Sequence, residues 1–135
     1  MAHLTSLKRL THLELRASHV GDESLKHISE LKSLTYLSLS GSGEPGVHIG
    51  RNFTGAGYAH LARLPNLERM SLTNADVHWK ELQSLKQVAD LNMLMPTMSR
   101  DDVRKLQKAL PDTRVSAAWG GGFVGPIQFK QVELE

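Results

Sequence analysis

The chain has 135 residues and a formal charge of +2, with 16 Lys and Arg against 14 Asp and Glu. It is long enough for one domain with a buried core, and too evenly charged to suggest a nucleic-acid or anionic-membrane partner. The absence of cysteine excludes disulfides, thiolate metal sites and a cysteine nucleophile, and no apolar run approaches the ~20 residues of a membrane span. No basic segment followed by an apolar one opens the chain, so the expectation is a soluble, cytoplasmic protein.

In chain order, the first pattern is Leu7-x-x-Leu10-x-x-Leu13-x-Leu15, and it recurs as Leu31-x-x-Leu34-x-x-Leu37-x-Leu39, offset by 24 residues at every position. A third copy is Leu64-x-x-Leu67-x-x-Met70-x-Leu72. The second half of each copy alternates apolar and polar residues, as a half-buried strand does. Leu13 and Leu15 are therefore expected to point inward, and His12, Glu14 and Arg16 outward. Leu4 and Leu7 begin in mid-repeat with no polar cap before Leu10. This apolar end is expected either to continue an earlier stretch of repeats or to be buried in an oligomer.

Between strands the period becomes helical. Val20, Leu25, Ile28 and Leu31 form the first such set, with Gly21-Asp22 as a cap. Phe53, Tyr58, Leu61 and Leu64 form the second, Val77, Leu82, Leu85 and Val88 the third. Met98, Val103 and Leu106 form the fourth, opened by Ser99-x-x-Asp102. The fourth strand falls on Leu91-Asn92-Met93 or on Leu94-Met95-Pro96. The first is preferred, because Pro96 would remove a donor from a central strand. Val115-Ser116-Ala117 forms a weakly apolar fifth. Ala75 interrupts a slot held by Ser18 and Ser42, where a small polar side chain would bond the turn backbone.

These repeats, above all Leu31 to Leu39 (LKSLTYLSL) with VGDESLKHISEL before it, resemble the leucine-rich-repeat family, in its bacterial form with helices on the convex side. Leu106 to Val115 (LQKALPDTRV) resembles a closing repeat, and the likeness covers roughly residues 4–117. It implies an α/β fold: a right-handed horseshoe-shaped solenoid with about five parallel strands on its concave face. It also implies that exposed strand positions contact a protein ligand. The domain is expected over 1–118, with a loop insertion at 41–52 and a Gly-rich tail at 119–135.

Stacking the strands predicts three exposed columns: His12, Tyr36, Arg69, Asp90, Arg114; then Glu14, Ser38, Ser71, Asn92, Ser116; then Arg16, Ser40, Thr73, Leu94, Ala118. Column neighbours should lie about 4.8 Å apart, so His12 and Tyr36 should touch. Tyr and Arg commonly anchor protein interfaces, which centres a partner patch on Tyr36 and Arg69. The set expected to bind is His12, Glu14, Arg16, Tyr36, Ser38, Arg69, Ser71, Asn92 and Arg114, joined by His48 and Arg51 in the 41–52 loop.

The expected role is non-catalytic protein binding. The alternatives are a self-assembling structural subunit or the recognition part of a larger adaptor or enzyme. No nucleophile elbow, cofactor fingerprint or helical zinc spacing is present, so neither catalysis nor a cofactor is expected. His27 and His60 occupy one slot of two helices and are read as solvent-facing, with no carboxylate placed beside them. The tail, with Ile127 and Phe129 at strand spacing, is expected to cover the edge of its own sheet rather than cross to another copy.

Overall fold

The structure is a computed structural model describing residues 6–16, 21–40, 54–94, 97–119 and 127–128. Strands and helices alternate: β1 (His12–Arg16), α1 (Asp22–Ile28), β2 (Tyr36–Ser40), α2 (Gly55–Leu61), β3 (Arg69–Thr73), α3 (Trp79–Leu82), β4 (Asp90–Leu94), α4 (Arg100–Ala109), β5 (Arg114–Ala118) and the short β6 (Ile127–Gln128). The first five strands form one parallel sheet in sequence order, and β6 joins its end antiparallel to β5.

The alternating pattern decides the register. Leu37, Leu39, Met70, Leu72, Leu91, Met93, Val115 and Ala117 point into the core and are 0–1% exposed. Leu13 and Leu15, on the edge strand, are only partly buried against the same core. Helix residues meet them from the other side: Leu25, Ile28, Tyr58, Leu61, Leu82, Val103 and Leu106 are all inaccessible to solvent. A fully buried side chain of this size contributes about 2 kcal/mol relative to an exposed one. One strand and one helix cannot bury their own apolar faces, so the core exists only between neighbouring units.

Backbone bonds repeat from unit to unit. Thr35 and Tyr36 both donate their N–H to Thr11 O, at 2.8 and 3.0 Å, and Glu68 and Arg69 both donate to Thr35 O, at 2.9 and 3.1 Å. Ala89 and Asp90 do the same to Glu68 O, and Arg114 donates to Ala89 O. Side chains reinforce the stack: Ser33 Oγ donates to Lys8 O, Asn66 Nδ2 to Lys32 O, and Thr113 Oγ1 to Val88 O.

Helix starts differ in how their free amides are met. Ser99 caps α4 by accepting from Asp102 N, as its spacing predicts. His78 Nδ1 accepts from Lys80 N, while Glu81 accepts from His78 N, which lets α3 start within a four-residue helix. The expected cap at Gly21-Asp22 takes another form. Gly21 is the N-cap and makes no side-chain cap bond; the Asp22 carboxylate turns to the next unit and bonds Thr54.

The strand reading of Leu91-Asn92-Met93 is the one realised. Ala75, 1% exposed, brings no polar side chain of its own to the turn, and the Thr97 hydroxyl donates to Ala75 O at 3.5 Å instead. Asn74 adopts a positive φ of 52° and donates to Leu94 O, while Ala75 O accepts from Thr97 N. Ser18 and Ser42 lie outside the described residues. Among the described residues no helix is long and apolar enough to cross a membrane.

Candidate interaction surface

The face of the sheet turned away from the helices carries the even-numbered positions of β1 and β2 and their counterparts in β3 to β5. Pairing places His12 beside Tyr36, Tyr36 beside Arg69, Arg69 beside Asp90 and Asp90 beside Arg114. Glu14, Ser38, Ser71, Asn92 and Ser116 form the next row, and Arg16, Ser40, Thr73, Leu94 and Ala118 the third. The three columns thus follow the predicted register.

Within the first row the side chains are unequally engaged. The rings of His12 and Tyr36 lie 5.7 Å apart, tilted by 35°, within the range of favourable aromatic contacts. His12 Nδ1 is also 2.9 Å from Thr11 Oγ1. At the other end Arg114 Nε donates to Asp90 Oδ1 at 2.6 Å, a charge-assisted pair on adjacent strands. Arg69 sits between these two pairs, exposed, and its guanidinium has no hydrogen-bonding or ionic partner among the described residues.

The second row is more enclosed than the sequence suggested. Ser38, Ser71, Asn92 and Ser116 are half-buried rather than exposed. Ser116 Oγ bonds Asn92 Oδ1 at 3.1 Å. Glu14 and Arg16 remain exposed at the β1 end, and Leu94 in the third row is 37% exposed. His48 and Arg51, together with the 41–52 loop, lie outside the described residues.

The histidines depart from expectation. His27 and His60 are half-buried rather than solvent-facing, and a carboxylate does stand beside one of them. Glu23 Oε1 is 3.6 Å from His27 Nε2, one helical turn earlier. Glu23 and His27 stand four residues apart on α1, so the expectation of no carboxylate beside these histidines does not hold for His27. Among the described residues no three metal-ligating side chains cluster.

Beneath the sheet, Tyr58 is fully buried, and burial pushes its phenol pKa well up, with the carboxylates of Glu81 and Asp22 adding to the effect. At the far end Gln107, 3% exposed, gives Nε2 to Leu110 O at 2.9 Å and Thr113 O at 2.8 Å, and its Oε1 accepts from Val115 N at 3.1 Å. Sequence reasoning missed this polar knot because Gln107 occupies an otherwise apolar helical face. Near the last strand Trp119 Nε1 donates to Met98 O at 3.0 Å, with the Arg100 guanidinium 5.3 Å from its ring. Compared with protein-family models and with curated proteins, the chain matches none of either.

Proposed function

We propose that the chain is a leucine-rich-repeat solenoid acting as a non-catalytic protein-interaction module, whose polar sheet face receives a partner. The arrangement of Arg69 carries this reading. It lies between an aromatic pair and an ion pair, and its own charge is not neutralised by any described side chain. An exposed guanidinium beside Tyr36, above a line of hydroxyls and an amide, offers an anchor and short polar contacts on a backbone held by buried leucines. The 24-residue offset and the recurring leucine spacing support the repeat-family reading.

The test is a capture experiment with the immobilised chain. The Tyr36→Ala/Arg69→Ala double variant should lose a partner retained by the parent protein, with unchanged circular dichroism and melting temperature. Retention of that partner by the folded variant places binding on another surface and removes the proposal.

A further inference from the structure

The two ends of the sheet are not equivalent. β5 is covered over part of its outer edge by the two-residue antiparallel β6, through Ser116 with Gln128 and Ala117 with Ile127. Among the described residues β1 pairs on one side alone. In later units the amides at the start of each strand donate to the preceding unit; the equivalent amides of Thr11 and His12 have no backbone acceptor among the described residues. Since Tyr36 N–H reaches Thr11 O, strand alternation turns the peptide groups of Thr11, Leu13 and Leu15 toward β2. Those of His12, Glu14 and Arg16 face the open edge. The apolar side is equally incomplete. Leu31, Leu34, Leu37 and Leu39 are 0–1% exposed, whereas their counterpart Leu7 is 46% exposed and Leu10, Leu13 and Leu15 are only partly buried.

We propose that β1 pairs antiparallel with β1 of a second copy, about a twofold axis through Leu15, joining the two sheets. Charge selects this register. An axis through Glu14 would oppose Glu14 to itself and His12 to Arg16. Moving the axis to Leu15 opposes each Glu14 to Arg16 of the other copy, twice, and still sets outward-facing peptide groups against one another. Leu15 then meets its symmetry mate at a non-hydrogen-bonded position, where Cα atoms approach to about 4.5 Å. Glu14 and Arg16 are exposed and have no ionic partner among the described residues, so the complementary charges are available. With β6 on the other edge, a head-to-tail stack is obstructed and the twofold pair closes on itself. The pairing uses the strand edge and does not depend on the partner-binding reading of the sheet face.

Sedimentation velocity of the intact chain over a wide concentration range tests this. The parent protein should shift reversibly from monomer to dimer. Glu14→Arg should weaken association by about tenfold or more, and Glu14→Arg/Arg16→Glu should restore it. Glu14→Pro, which removes an outward N–H that an edge strand can spare, should give a folded monomer, while Tyr36→Ala/Arg69→Ala should still dimerise. A parent protein that stays monomeric overturns the proposal, as does assembly beyond a dimer. Failure of the double charge exchange to restore association overturns the Leu15 axis, including in favour of one through Leu13, which would oppose Glu14 to His12.

Discussion

Asp22 Oδ1 accepts from Thr54 N at 2.8 Å and Oδ2 from the Thr54 hydroxyl at 2.6 Å, so a carboxylate in the first turn of α1 holds the start of α2 in place. Thr54 Oγ1 in turn accepts from Ala56 N at 3.2 Å. The relay fits because Gly57 has no side chain: a Cβ there would collide with Asp22 Oδ1 and crowd Leu25.

Gly57→Ala should therefore destabilise the fold by about 1–3 kcal/mol, despite alanine's better helix propensity. Asp22→Ala should cost about 1–2 kcal/mol through loss of a charged acceptor. The two effects should not add. In an Asp22→Ala background the glycine substitution should be much milder, because the colliding oxygen has gone. Urea unfolding of the four proteins of this cycle measures the coupling, and simple additivity would contradict the steric account.

Replacing Gln107 by alanine should cost about 3 kcal/mol, because three backbone groups near the start of β5 lose their partner in a buried setting. Gln107→Glu carries a sharper signature. Its carboxylate would face two carbonyl oxygens, and burial together with that repulsion would raise its folded-state pKa above the ~4.3 of an unfolded chain. An acid so raised binds protons on folding, so the deficit relative to the parent should be smallest below about pH 4 and widen as pH rises toward neutrality. Denaturant midpoints at several pH values check the sign.

Tyr58 behaves as an acid whose folded-state pKa is raised, so its contribution to stability is present below the ~10 of the unfolded phenol and is lost as pH climbs further. Its phenolate absorbance should appear together with loss of far-ultraviolet circular dichroism, not before it. Tyr58→Ala should cost about 3–5 kcal/mol at neutral pH from the cavity alone. Ionisation of both tyrosines with the fold intact would contradict the burial assigned to this ring.

The Asp90–Arg114 pair should contribute little to folding in spite of its short distance. Its side chains are 32% and 56% exposed, so screening by solvent limits the pair to about 1 kcal/mol or less. Asp90→Asn should shift the melting temperature only slightly, and the shift should shrink further at high salt. A large, salt-independent loss would mean that the carboxylate has a structural role beyond this pair.

Much of the architecture was legible because it rests on short-range periodicity. Alternation at Leu37 and Leu39 or Leu91 and Met93 gives both the strand and its buried face, and repetition of that pattern gives the cross-strand register of His12, Tyr36, Arg69, Asp90 and Arg114. Pro96 was enough to favour the correct fourth strand. The α3 region was harder to read. Only 21 residues separate Arg69 from Asp90, so the helical set from Val77 to Val88 contracts to a helix at Trp79–Leu82 followed by turns.

By itself, then, the sequence determined that this is an alternating β-α chain whose inward-facing leucines share one core, because every residue is tied to its neighbours by the two-residue and near-four-residue periods of strand and helix. The tertiary structure alone decided how polar side chains are spent. Asp22 bonds Thr54 across 32 residues, Gln107 closes on the backbone of β5, and Asp90 neutralises Arg114 while Arg69 finds no described partner. Periodicity fixes which face a side chain occupies. Which donor it meets there depends on distances of a few ångströms between units, and those are set only when the units pack.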